Sequence, residues 1–529
     1  MDFDAYPYPS RRTVVFAGRG MVATSHPLAA QAGLEVLRQG GNAVDAAVAA
    51  AAALTVVEPC SNGIGGDAFA LVWFGGRLLG LNASGPSPRA LSAEKLKSGR
   101  SMPRYGWASV TVPGAPAAWA ELSRRYGRVP LATALAPAVE MAGEGHPVAP
   151  TTARNWRIAA ETYACDLTGA EYAAWFETFT STGAAPRAGE VFRAPWHAAT
   201  LRAIAASAAR DFYEGDLAER ILRFSARTGG YLVKEDLAQY APEWVEPVSI
   251  RYRGYDVWEM PPNGQGLVAL MALGMLEGFD FTAGPSALAV HRQLEAMKLA
   301  FADGLKYITD RRLMAVEPSD LLSPGYIASR RELIGERATP PAAGRPPGGG
   351  TVYLATSDGE GNMVSYIQSN YLGFGSGLVV PETGIALHNR GCSFSLDPGA
   401  ANFLLPGKKP YHTIIPGFLT RDGRPVGPFG VMGAFMQPQG HVQVVMNMLD
   451  FQLNPQAALD APRWQWLEGM RVSVEPQMPE YVVRGLADRG HLVEVGTDGF
   501  GRGQIIWRLP SGVYAGATEP RTDGSVAAW

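Results

Sequence analysis

The N-terminal part of the chain combines helical and strand-like hydrophobic patterns. Residues 26–57 are rich in Ala and Leu, with a break at Gly40–Gly41 before Asn42, a residue type that caps helices. We expect two packed helices there. The runs AFALVWF and RLLGLNA flank a Gly-Gly pair, which predicts a β-hairpin.

The pattern changes about two thirds of the way along the chain. Helical periodicity dominates 114–225 and 286–308, and a Pro/Gly-rich stretch covers 338–350. Beyond it, TVYLATSD and MVSYIQSNY are joined by GEGN and predict a second hairpin. HTIIPGFL, HVQVVMNML and QIIWRL predict strands, and NPQAALDAPRWQWL predicts a helix. The order of elements indicates layered sheets covered by helices.

Composition excludes several classes of function. The chain of 529 residues is 47% hydrophobic and 18% charged, with a formal net charge of −3, so no basic field favours nucleic acid or anionic lipid. Its three cysteines are too scattered for a metal site or a disulfide framework. The N-terminus has acids and prolines where a secretory signal would be basic and then apolar. We expect a cytoplasmic protein without metal, cofactor, nucleic-acid or membrane partner.

Three consecutive glycines, Gly348–Gly350, lead directly into Thr351. Such a run is costly to order, because glycine loses more backbone freedom on folding than other residues. One interpretation is a surface loop before a strand. The other is a self-cleavage site, because a threonine at a chain terminus can use its own α-amine, with a pKa of about 7.7 to 8.0, as the base that activates its hydroxyl.

Many ordered motifs favour the second interpretation, since the chain resembles the gamma-glutamyltranspeptidases and their cephalosporin-acylase-like relatives among the N-terminal-nucleophile hydrolases. The similarity is carried by GMVATSHPLAAQAGLEVLRQGGNAVDAAV, NGIGGDAFALV, FADGLKYITD, TVYLATSDGEGNMVSYIQSNYLGFGSG and KKPYHTIIPGFL. It implies a four-layer αββα sandwich of the α+β class. It also implies cleavage between Gly350 and Thr351, so that chains 1–350 and 351–529 associate in one domain.

The same resemblance implies the catalytic residues. Thr351 takes the place of the nucleophile, and Ser369 that of a second hydroxyl near the nucleophile's amine. Gly433 matches the first of two glycines whose amides form the oxyanion hole. Ala434 replaces the second glycine but keeps its amide N–H, so the hole should still work.

The residues that bind substrate depart from the family pattern. Ser84 stands where the transpeptidases have an arginine for the substrate α-carboxylate, and Ser393 stands where they have an aspartate for the α-ammonium. His412–Thr413 replaces a serine pair, and Tyr371 replaces an asparagine. Losing each charge-assisted hydrogen bond costs on the order of 1.5 to 3 kcal/mol, so a free γ-glutamyl group should bind poorly.

Arg390 lies in the same segment as Ser393 and offers a new partner for a carboxylate. Whether it lines the pocket or lies on the surface is open, and His412 is as readily structural as functional. If Arg390 lines the pocket, small dicarboxylic monoamides or carboxyacyl side chains are the favoured substrates.

Three functions remain open at this stage. The first is an autoprocessing threonine amidohydrolase that acts on a small-molecule amide whose acyl group is not a standard γ-glutamyl. The second is a true gamma-glutamyltransferase or glutathione hydrolase. The third is an unprocessed, non-catalytic binding protein of the same fold. Association into a homo-oligomer is also open.

Overall fold

Two seven-stranded antiparallel sheets form the centre of the protein in the computed structural model, which describes residues 12–96, 101–180, 183–341 and 351–529. The strands are β1 (Val15–Ala17), β2 (Gly20–Thr24), β3 (Asp67–Phe74), β4 (Arg77–Ala83), β5 (His146–Pro147), β6 (Val191–Phe192), β7 (Glu243–Val245), β8 (Val248–Tyr252), β9 (Tyr255–Glu259), β10 (Val352–Asp358), β11 (Met363–Ser369), β12 (Val379–Val380), β13 (Ile385–Ala386), β14 (Gly417–Arg421), β15 (Arg424–Met432), β16 (Trp464–Glu468), β17 (Arg471–Val474), β18 (Leu492–Val495), β19 (Arg502–Arg508), β20 (Tyr514–Thr518) and β21 (Ser525–Ala528).

The helices cover the sheets. They are α1 (Pro27–Arg38), α2 (Ala43–Val57), α3 (Ala115–Tyr126), α4 (Leu131–Glu144), α5 (Pro150–Asp166), α6 (Ala173–Phe179), α7 (Pro195–Ser207), α8 (Arg210–Glu214), α9 (Asp216–Arg227), α10 (Lys234–Ala238), α11 (Gly266–Leu276), α12 (Ala287–Tyr307), α13 (Pro318–Leu321), α14 (Pro324–Arg331), α15 (Met436–Leu449), α16 (Pro455–Asp460) and α17 (Glu480–Asp488).

Both sheets contain strands from both sides of position 350. The first sheet has the order β21-β2-β10-β11-β3-β4-β7, and the second has the order β1-β20-β19-β15-β14-β9-β8. The β10–β11 hairpin is inserted between β2 and β3, and its two strands pair antiparallel with them. The segment that starts at Thr351 is therefore held by hydrogen bonds to the preceding part of the chain.

The side chains of β10 show why the layers stack. Val352 and Leu354 pack into the apolar cluster that includes α1 and α2. Tyr353 and Ala355 face the opposite way, into a cluster between the two sheets. A strand buried on both faces reads as a continuous apolar run, because alternate side chains go to different cores. The predicted αββα sandwich is confirmed.

Helix α2 packs against the first sheet and is buried along its whole length. All fifteen of its residues are buried, and eight of them are alanines, which allow close packing of α1, α4 and the strands. Asn42 caps the helix as expected, accepting hydrogen bonds from the amides of Val44 and Asp45. Its own amide group donates to the Tyr126 carbonyl at 2.6 Å, which links the cap to the end of α3.

The expectations for the last third of the chain were partly wrong. HVQVVMNML is not a strand but the C-terminal part of α15, and WQWL belongs to β16 rather than to a helix. In HTIIPGFL the strand begins only at Gly417. Almost every residue of α15 is buried, so no polar face marks the helical period and the valines suggest a strand. Tertiary packing overrides that local preference.

No helix in the described ranges is long and apolar enough to span a bilayer.

Replacing Asn42 with Ala should lower the free energy of unfolding by about 1 to 3 kcal/mol, because α2 loses its cap and the Tyr126 carbonyl loses a donor. The measurement is the shift in urea midpoint. Gln39→Ala, at an exposed neighbouring position, is the control and should change stability by no more than about 0.5 kcal/mol. Equal shifts in the two variants would contradict the role given to the cap.

Candidate functional site

Thr351 and Ser369 meet at the end of the β10–β11 hairpin. Val352 pairs with Gln368 across the hairpin, so antiparallel register brings the next pair of residues together. The Thr351 Oγ1 and Ser369 Oγ atoms are 3.1 Å apart, and both residues are fully buried. The Tyr371 amide donates to Ser369 Oγ at 2.7 Å and fixes that hydroxyl. The sequence predicts the Ser369 hydroxyl near the amine of the nucleophile, and the structure has it in contact with the hydroxyl of Thr351. Gly350 lies outside the described residues.

Gly433 and Ala434 form the turn from β15 into α15. Their φ angles are +132° and +50°, and the value at Ala434 is unusual for a residue with a Cβ. The side-chain amide of Gln265 donates to the carbonyl of Ala434 at 2.9 Å and to that of Thr413 at 2.6 Å. The turn is therefore held in place through its carbonyl, while the amides of both residues lie at the N-terminal end of α15.

Arg390 is fully buried, so the surface alternative is wrong. It begins a short 3₁₀ turn, Arg390–Ser393. Its Nε lies 3.3 Å from Asp67 Oδ2, its Nη1 donates to Thr413 Oγ1 at 2.8 Å, and its guanidinium carbon lies 4.1 Å from the centre of the Tyr371 ring. Within the described part of the chain, Nη2 has no hydrogen-bond partner.

Asp67 neutralises this buried cation. It is the first residue of β3 and the Cα partner of Ser369 in the sheet, so its carboxylate lies beside the strand end that carries the second hydroxyl. Asp67 Oδ2 is 2.5 Å from His412 Nε2 and 3.4 Å from His388 Nδ1. Burial opposes ionisation, but His412, Arg390 and His388 outweigh it and hold the pKa of the Asp67 carboxyl well below its usual range.

His412 is a structural partner of Asp67. Its Nδ1 accepts the Ile414 amide at 3.2 Å, so the proton of the neutral ring is on Nε2, which donates to Asp67. Burial and the adjacent Arg390 cation lower the pKa of His412 to about 4. The ring is therefore neutral at physiological pH. Thr413, the next residue, supplies the hydroxyl that accepts from Arg390.

Ser84 and Ser393 both form hydrogen bonds with neutral groups. Ser84 Oγ donates to Asn82 Oδ1 at 2.7 Å and also contacts the side chain of Asn263. Ser393 Oγ contacts two backbone carbonyls, those of Arg390 at 2.8 Å and of Tyr411 at 2.9 Å. Ser393 thus stabilises the turn that carries Arg390.

Three residues of this site were not identified from the sequence: Asp67, His388 and Gln265. Asp67 lies inside the NGIGGDAFALV motif, and an acid at the start of a fully apolar strand is a signal that could have drawn attention to it. His388 and Gln265 carry no comparable signal, because their partners are distant in the chain.

Comparisons with known proteins agree over the whole chain. A family model described as gamma-glutamyltranspeptidase matches residues 29–529. The glutathione hydrolase-like YwrD proenzyme of Bacillus subtilis is 38% identical, covering 97% of this chain and 98% of that protein. The oxamate amidohydrolase proenzyme of Klebsiella pneumoniae is 36% identical, covering 96% and 98%. The crystal structure of a cephalosporin acylase from Bacillus halodurans has a TM-score of 0.97 and 60% identity, covering 100% and 99%.

Replacing Asp67 with Asn should lower the free energy of unfolding by about 3 to 5 kcal/mol, because Arg390 is left buried without its counter-charge. Thermal or urea unfolding measures the change. Asp422→Asn provides a matched control, since Asp422 also faces an arginine, Arg251, but both side chains are exposed. That control should behave like the parent protein, and an equally small effect at Asp67 would show that Arg390 does not depend on this carboxylate.

Proposed function

Since the chain belongs to the gamma-glutamyltranspeptidase family, within the N-terminal-nucleophile hydrolases, we propose that it is an autoprocessing threonine amidohydrolase. The observation that carries this proposal is the contact of 3.1 Å between the Thr351 and Ser369 hydroxyls at the hairpin end. The proenzyme names of the YwrD protein and the oxamate amidohydrolase support processing, and the names of the oxamate amidohydrolase and the cephalosporin acylase support amide hydrolysis.

In the proposed maturation step, Thr351 Oγ1 attacks the Gly350 carbonyl carbon and transfers its proton to the Thr351 nitrogen as that nitrogen leaves. The product is an ester between Gly350 and the Thr351 oxygen. The α-amine of Thr351 is freed in this step, when the peptide bond breaks. Water then hydrolyses the ester, which releases the Gly350 carboxylate and restores the Thr351 hydroxyl. Ser369 hydrogen-bonds the attacking hydroxyl and orients it for this step.

In turnover, the free α-amine takes the proton from Thr351 Oγ1 as this oxygen attacks the substrate amide carbon. The amides of Gly433 and Ala434 stabilise the oxyanion, and their position at the start of α15 adds the positive end of the helix dipole. The protonated α-amine then gives its proton to the departing amine. Water hydrolyses the acyl-threonine ester and regenerates the enzyme.

We assign Arg390 as the partner of a carboxylate on the acyl group. Its buried guanidinium is linked to the nucleophile by three successive contacts, through Tyr371 and Ser369, and one of its nitrogens has no partner in the described part of the chain. A γ-glutamyl group would also need a counter-charge for its α-ammonium, and Ser393 hydrogen-bonds carbonyls instead. Small monoamides of dicarboxylic acids are therefore the favoured substrate class. Oxamate, named for the Klebsiella relative, is such a compound.

Replacing Thr351 with Val should abolish processing, because Val keeps the shape of Thr but lacks the attacking hydroxyl. On a denaturing gel the variant should give one band, while the parent gives two that co-elute in gel filtration. N-terminal sequencing of the smaller fragment should begin TVYLATSD. Thr351→Ser, which keeps a hydroxyl, is the control and should still be cut. Cleavage of the Val variant, or a parent protein that stays in one chain, would contradict the proposal.

Replacing Arg390 with Lys should lower kcat/KM for carboxyacyl amides by about 10- to 100-fold relative to neutral acyl amides with the same leaving amine, because Lys keeps the charge beside Asp67 but loses the planar fork. The panel should compare oxalyl, glutaryl, γ-glutamyl and acetyl amides. Using a ratio corrects for any general loss of active enzyme. An unchanged ratio, or γ-glutamyl as the best substrate of the parent, would contradict the assignment.

A further inference from the structure

The buried cluster around Asp67 is close to neutral before substrate binds. Asp67 carries one negative charge and Arg390 one positive charge, and His412 is neutral. All are fully buried. A substrate carboxylate that binds Arg390 would leave one uncompensated negative charge in a region shielded from water, which is costly. A second cation inside the cluster would remove that cost.

His412 cannot supply this cation without losing a bond. Its Nδ1 already accepts a hydrogen bond from the Ile414 amide. A proton on Nδ1 would place an N–H group directly opposite the Ile414 N–H group, and this hydrogen bond would be lost. Its Nε2 already donates to Asp67. The geometry fixes His412 as the neutral partner.

His388 has the opposite arrangement. Its Nε2 lies 3.0 Å from the Thr111 carbonyl, which can only accept, and 2.9 Å from the Thr111 hydroxyl, which can donate or accept. Its Nδ1 faces Asp67 Oδ2 at 3.4 Å and makes no hydrogen bond among the described residues. A neutral ring has one proton and can donate towards the Thr111 carbonyl or towards Asp67, but not towards both. A ring with a proton on each nitrogen donates towards both and gives Asp67 a charged partner.

The other ionisable groups around the cluster do not compete for the proton. Burial and Asp67 raise the pKa of Tyr366 and, together with Tyr213, that of Tyr240, so both phenols stay neutral. Burial raises the pKa of Tyr371 as well, and it raises that of Cys392 to about 12. Arg104, which acts on both of these groups, is a permanent cation.

We propose that the acyl carboxylate binds at Arg390 together with one proton from solvent, which the His388 ring takes up, and that release of the acid product returns this proton. No covalent bond of the substrate changes in this step: one carboxylate and one proton enter together, so the net charge of the cluster is conserved. The inference rests on the proposed function, because it takes Arg390 as the carboxylate partner.

Proton uptake on binding makes affinity depend on pH. Binding favours the protonated enzyme, so it is strongest at low pH and weakens as pH rises through the range in which His388 of the complex titrates. KM for a carboxyacyl amide should rise by up to about tenfold per pH unit over that range. A neutral acyl amide brings no charge to the cluster, and its KM should stay flat over the same interval.

Isothermal titration calorimetry of the processed enzyme with oxalate and with glutarate tests the coupling directly. Each titration is done in phosphate and in Tris, which differ in ionisation enthalpy, between about pH 6 and pH 9, where an imidazole can titrate. The difference in apparent enthalpy gives the number of protons taken up. We expect a maximum approaching one proton, and uptake of zero throughout would overturn the coupling.

Two variants test whether His388 is the group that takes up the proton. His388→Gln keeps a donor for the Thr111 carbonyl but cannot be protonated, so uptake should fall to zero and KM should lose its pH dependence. His146→Gln, at a buried histidine on β5, should keep the uptake of the parent. Full uptake in His388→Gln would overturn the assignment to His388. If neither dicarboxylate binds the parent enzyme, the assignment of Arg390 falls first and the coupling falls with it.

Discussion

The ion pair between Asp67 and Arg390 is the constraint on which the candidate site depends. A guanidinium buried to this degree is tolerated only when a carboxylate and good acceptors surround it, and Asp67 and Thr413 provide them. The sheet register that pairs Asp67 with Ser369 places this counter-charge beside the residue whose hydroxyl contacts the proposed nucleophile, Thr351. The anion that stabilises Arg390 and the strand end that carries the Ser369 hydroxyl are therefore positioned by the same backbone pairing.

The interleaving of strands explains how the fold would survive cleavage of the peptide bond before Thr351. The β10–β11 hairpin is held on both sides by strands β2 and β3, which precede position 350. The second sheet also combines strands from both sides of position 350, since β9 lies beside β14 and β1 lies beside β20. A break before Thr351 would remove one peptide bond but no strand pairing, so the new terminus would keep its place opposite Ser369.

The proposed specificity depends on the charges around the site. Ser84 and Ser393 hydrogen-bond neutral amide and carbonyl groups and bring no charge. Arg390 is a buried cation beside the Asp67 carboxylate, which two imidazoles also contact. A substrate with one negative charge and no ammonium suits this arrangement better than a free amino acid, because a buried charge without a partner binds weakly.

The sequence alone determined the elements whose signals are local. Asn42 and the Ala-rich runs indicated α1 and α2, the GEGN turn indicated the β10–β11 hairpin, and the ordered motifs indicated the family and the αββα fold. It failed at α15, where full burial removes the polar face that marks a helix. Only the tertiary structure brought Asp67 to Arg390, which is 323 residues away in the chain, and buried both. Burial and charge neutralisation are set by contacts between distant segments. The local sequence around Asp67 or Arg390 therefore does not show that the two residues pair.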